Sequence, residues 1–118
     1  MITYFIVPYS FQSLATQNRA IVRLNEHLGG FMRRNKNVIP ISALFSVYKN
    51  PYSQGSIQDE AVYPICRTLI DSADIVVVLK LPGWEYSDIV MNEIGYASYA
   101  RKVIIYEDPD EQVVPTDS

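Results

Sequence analysis

Ser87 and Glu93 stand six residues apart, just past the most apolar run in the chain, Ile75-Val76-Val77-Val78-Leu79. Between that run and Ser87 lies Leu81-Pro82-Gly83-Trp84-Glu85-Tyr86. An apolar run that ends in Pro and Gly and resumes at a serine reads as strand, turn and helix, with Ser87 as the N-cap. The first N–H groups of such a helix lack partners within it and favour anions. Trp84 and Tyr86 offer aromatic faces on which a base or sugar can stack. Glu93 falls roughly a turn and a half into the helix. Helical side chains lean toward the N-terminus, so its carboxylate can aim back at the strand ends. A carboxylate so placed is suited to acid/base or nucleophilic work. Ile89, Val90, Ile94 and Ala97 surround it with apolar surface, which raises its pKa, while the helix N-terminus lowers it. Plainer roles exist for each residue: Ser87 capping the helix and nothing more, Trp84 covering the sheet edge, Glu93 reaching water from the helix rim.

Elsewhere the chemistry is thinner. His27 is the only histidine and has no Cys or His at ligand spacing, so no metal site and no cofactor is expected. Cys66 is the only cysteine, which excludes an intrachain disulfide and reads as a small buried hydrophobe. No glycine-rich phosphate loop and no Ser-His-Asp arrangement can be assembled. Asp59, Glu60, Asp71 and Asp74 read as solvated charge around a helix, and any of them near the strand ends could serve as a second carboxylate.

The elements that must position these residues follow from periodicity. Ile2 to Val7, without polar alternation, reads as a strand buried on both faces, ending at Pro8-Tyr9-Ser10. Ser10 and Ser13 are both N-cap candidates for a helix running to about Arg34, through or up to Gly29-Gly30. Arg33, Arg34 and Lys36 supply favourable charge near its C-terminus. Val38 to Ile41 is a second, short strand. Ser42 to Gln58, centred on turn residues, reads as a long surface loop. Ile57 to Ser72 reads as a helix broken near Pro64. Asp74 to Leu81 is the central strand, Asp88 to Arg101 the next helix, and Lys102 to Tyr106 the last strand. This alternation predicts an α/β fold, a Rossmann-like three-layer sandwich with a four- or five-stranded parallel sheet and ligands at the strands' carboxyl ends. Residues 1–106 form the domain and 107–118 an acidic tail.

The bulk numbers agree with one domain: 118 residues, 48% hydrophobic, 19% charged, net charge −3. The charge argues against a nucleic-acid partner. No run approaches the roughly 20 apolar residues of a membrane span, and the start lacks a basic signal segment, so a cytoplasmic protein is expected.

Three features together resemble the nucleoside 2-deoxyribosyltransferase-like superfamily, and within it a small uncharacterised bacterial and phage branch. They are the first strand followed by Pro8-Tyr9-Ser10; Asp71-Ser72-Ala73-Asp74 leading into Ile75 to Leu81 and Pro82-Gly83-Trp84; and Ser87 with Glu93, then Gly95-Tyr96-Ala97. The resemblance spans about residues 2–106. It implies a nucleoside or nucleotide pocket in which Glu93 attacks the anomeric carbon and displaces the base, with water or a second base resolving the glycosyl-enzyme. The activity implied is that of an N-glycosidase or deoxyribosyltransferase; the alternative is a nucleotide-binding module with the same pocket and no catalysis. Ser87 would hold the sugar-phosphate end, Tyr9 and Ser10 would line the pocket with Trp84 as a further contact, and the protein would be a homo-oligomer. Two positions depart from the family. Ile89 stands where the family prefers glycine, which predicts weaker binding of a 5′-phosphate. No aspartate aligns securely near the start of the third helix, where Asp59 or Asp71 would have to substitute.

Overall fold

In a computed structural model, residues 1–10, 13–48 and 59–109 are described here, without the side chains of 59–62. Four strands form one sheet: β1 (Ile2–Ile6), β2 (Ile39–Ile41), β3 (Ile75–Leu79) and β4 (Val103–Glu107). Between them run α1 (Leu14–Arg34), α2 (Ala43–Val47), α3 (Asp59–Ser72) and α4 (Asp88–Tyr99). The strand order is β2-β1-β3-β4 and every pairing is parallel. The expected Rossmann-like α/β architecture is therefore present, with four strands among the described residues.

The chain steps from β1 outward to β2, then returns past β1 to β3. The winding reverses between β1 and β3, so their carboxyl ends diverge into a crevice, the usual ligand position in open parallel sheets. Strand alternation sends neighbouring side chains to opposite layers. Phe5 faces α1, edge-on to Phe31 with ring centroids 5.1 Å apart and to His27 at 6.2 Å. Tyr4, on the other face, hydrogen-bonds Glu93 of α4. Tyr4, Phe5, Ile6 and Val76 to Leu79 are all buried, as sheet strands covered on both faces must be.

Local chemistry sets the helix ends. Ser13 caps α1 by accepting from the Thr16 N–H at 3.3 Å. Arg33 and Arg34 lie in its last turn, as expected, and the helix continues through Gly29-Gly30. Three expectations change. Part of the predicted loop from Ser42 is the short helix α2, whose first turn Ser42 caps by accepting from the Leu44 N–H; the remainder, 49–58, lies outside the described residues. α3 is continuous through Pro64, with Thr68 bonding the Pro64 carbonyl. The last strand runs from Val103 to Glu107, so Glu107 belongs to the sheet and the tail beyond 109 lies outside the described residues. Glu107 also accounts for His27, whose buried ring bonds its carboxylate at 2.8 Å.

Candidate functional site

The crevice between β1 and β3 holds a cavity of about 670 Å³, within the size range of small-molecule sites. Pro8, Tyr9 and Ser10 supply one wall from the exit of β1. Leu81, Pro82 and Ser87 supply another from the exit of β3. Thr16, Asn18, Arg19, Ala20, Val22 and Arg23 of α1 complete the lining. The walls are mostly apolar.

The β3 exit has this shape for a local reason. Gly83 adopts φ 88°, the left-handed region that glycine enters without the clash of a Cβ. That turn leads through a 3-10 turn at Trp84–Tyr86 to Ser87, whose hydroxyl accepts from the Val90 N–H at 3.4 Å. Ser87 thus caps α4 and lines the cavity at once, and its own O–H proton stays available to a ligand. Among the described residues no carboxylate lines the cavity. Arg23 pairs with Glu26 at 3.6 Å, while Arg19 has no acidic partner among the described residues. Arg19, Arg23 and the N-cap of a twelve-residue helix thus border the same cavity, with Asp88 in that helix's first turn outside the lining.

Glu93 is buried and is not among the residues that line this cavity. Its side chain is 1% exposed and accepts a hydrogen bond from the Tyr4 hydroxyl, which in turn accepts from the Ala43 N–H at 3.3 Å. Burial pushes the Glu93 carboxyl up to about 8, and the Tyr4 bond opposes that rise. Burial first, and then the Glu93 charge, raise the Tyr4 and Tyr9 phenols well above their ordinary range. The same two causes push the Cys66 thiol up to about 12. Tyr4, Tyr9, Cys66 and Glu93 therefore form one buried polar patch, contributed by β1, its exit, α3 and α4.

The residues singled out from the sequence separate accordingly. Tyr9, Ser10 and Ser87 meet at the cavity. Trp84 is not part of its lining and packs toward Tyr106, ring centroids 5.8 Å apart. Ile89 is 7% exposed and belongs to the core, so the steric block expected of it is not on the cavity wall. Asp71 accepts from the Tyr96 hydroxyl at 2.8 Å, and Asp74 accepts from the Ile2 N–H at 2.7 Å. Both are structural ties. The side chain of Asp59 lies outside the described residues. Tyr4, Arg19 and Arg23 were not legible as site residues: Tyr4 reads as one more member of an apolar strand, and the two arginines as solvated helix charge.

Among the described residues no helix is long and apolar enough to cross a membrane, and no three His, Cys, Asp or Glu side chains cluster to hold a metal. The fold and cavity define a parallel α/β protein with a cavity at its topological switch point. No family model, no curated protein and no solved structure matches the chain.

Proposed function

We propose that this chain binds a nucleoside monophosphate in the switch-point cavity. The observation that carries the reading is the lining itself: Arg19, Arg23 and the Ser87 hydroxyl at the N-cap of α4, with no carboxylate among the described lining residues. Phosphate suits that donor set, since charge-assisted bonds from Arg and a helix N-terminus act together. The apolar remainder of the cavity suits a base and sugar, as does its volume. Ile89 is buried and does not line the cavity, so it presents no steric obstacle to a phosphate there.

A second reading adds cleavage of the N-glycosidic bond by Glu93. Its specific support is the buried patch in which Glu93 is held by Tyr4 and its charge acts on Tyr9, a cavity residue. In that reaction the carboxylate bonds to the anomeric carbon as the base leaves with the glycosidic electron pair, and water then releases the sugar. It requires the ionised carboxylate, whereas the buried group is mostly protonated at neutral pH.

Incubation with a panel of ribo- and deoxyribonucleosides and their 5′-monophosphates separates the readings. Calorimetry reports binding, and chromatography reports free base. Monophosphates are expected to bind at least tenfold more tightly than the matching nucleosides, consistent with a charge-assisted bond worth about 1.5–3 kcal/mol. Arg19→Gln should remove most of that preference while leaving nucleoside affinity within about twofold. Equal affinity for nucleoside and monophosphate would reject the anion site, and released base would establish the second reading.

A further inference from the structure

We infer that Tyr9 is a positioning residue: its side chain is the wall between the cavity and Glu93, and its hydroxyl is left unpaired for a ligand or water that enters there. Three observations meet on this residue. Tyr9 lines the cavity, whereas Glu93, 1% exposed, does not. Tyr9 is itself only 7% exposed, and its hydroxyl is buried without a hydrogen-bond partner among the described residues. That phenol also feels the Glu93 charge, as do Tyr4 and Cys66, so its polar end faces the buried patch while the residue borders the cavity. A buried hydroxyl without a partner costs stability, and folded proteins rarely retain one without a use.

The chemistry of the patch supplies that use. Tyr4 already donates to Glu93 and accepts from Ala43. A protonated Glu93 carboxyl has one further proton to give, and the Tyr9 hydroxyl can both give and accept. An acceptor atom of a ligand, or a water, bridging the two satisfies both. Displacing the Tyr9 ring to admit it exposes Glu93 to a wetter, more polar surrounding, which favours the carboxylate. Among the described residues the titratable groups around Glu93 are Tyr4 from β1, Tyr9 from the exit of β1 and Cys66 from α3.

The wall is independent of any ligand, and only the role of the hydroxyl rests on the nucleotide-binding reading. The test compares wild type with Tyr9→Phe, Tyr9→Leu and Tyr9→Ala. Tyr9→Phe should leave the thermal midpoint unchanged or raise it by a few degrees, because it deletes an unpaired polar group; a fall of more than about 5 °C shows that the hydroxyl is already bonded and overturns the inference. Tyr9→Ala, or Tyr9→Leu where alanine does not fold, should open the wall. The Glu93 carboxyl, followed by carbon NMR and assigned with Glu93→Gln, should then titrate well below the wild-type midpoint. Alkylation of Cys66 by iodoacetamide should accelerate at least tenfold. A Glu93 titration that does not move in the shortened variants refutes the wall. Adenosine monophosphate serves as the ligand probe: Tyr9→Phe should weaken it at least tenfold, and equal affinity refutes the hydroxyl's role. Failure of the whole monophosphate panel to bind wild type overturns the nucleotide reading, and the Glu93 titration still decides the wall.

Discussion

Glu93→Gln should make the protein less sensitive to alkaline pH than wild type. Glu93 ordinarily ionises near 4.5 and is pushed up to about 8 by burial in the fold. An acid with a raised folded pKa binds its proton more tightly in the native state, so the native state is the more protonated one between these two values. Stability from this group is therefore complete below about 4.5, declines as pH rises, and levels off above about 8. The loss across that window is on the order of 3–5 kcal/mol, which is a large share of the 5–15 kcal/mol typical of a small domain. Glutamine keeps the shape and an acceptor for the Tyr4 hydroxyl but has no proton to lose. Urea denaturation at pH 5, 7 and 9 measures the difference between the two proteins, which cancels the other titrating groups. Wild type should lose ground steadily to the variant from pH 5 to pH 9. Parallel profiles, within about 0.5 kcal/mol, would show that Glu93 is not buried as described.

The same substitution has the opposite consequence for catalysis. Should the panel release free base, Glu93→Gln should slow that release by about a thousandfold or more, because an amide cannot form the glycosyl intermediate. Wild-type kcat/KM should rise with pH up to about 8, as the free protein converts to its nucleophilic carboxylate. Variant activity within about tenfold of wild type removes Glu93 from the nucleophile's role. A flat pH profile shows that the ionisation of Glu93 does not limit the step. The two results together have a clear physical sense: burial favours the neutral acid, while attack needs the anion. A residue more stable in its unreactive form is a local conflict of the kind folds retain where function demands it.

Much of this architecture was written locally. Ile75 to Leu79 has no polar alternation because both faces of a central parallel strand are covered, and that pattern survives in any window of the sequence. Ser13 and Ser87 could be read as caps because a cap acts within three residues of itself. Pro8 and Pro82-Gly83 marked the strand exits, and parallel order then placed the site at those ends. Tyr9, Ser10 and Ser87 at the cavity follow from the same reasoning. The misread α2 and the unbroken α3 are cases in which tertiary packing outweighed local turn and proline signals.

What the fold alone decided are the pairings between distant residues. Tyr4 and Glu93 are 89 positions apart, and His27 and Glu107 are 80 apart. No periodicity encodes such a pair, because it depends on which strands are neighbours and which layer each side chain enters. Arg19 and Arg23 became cavity residues only when α1 lay beside the exit of β3. Ile89 turned inward because its position on α4 faces the core, although Ser87, two residues before it, lines the cavity. Local patterns determine elements and their ends; the order of the strands determines which chemical groups meet.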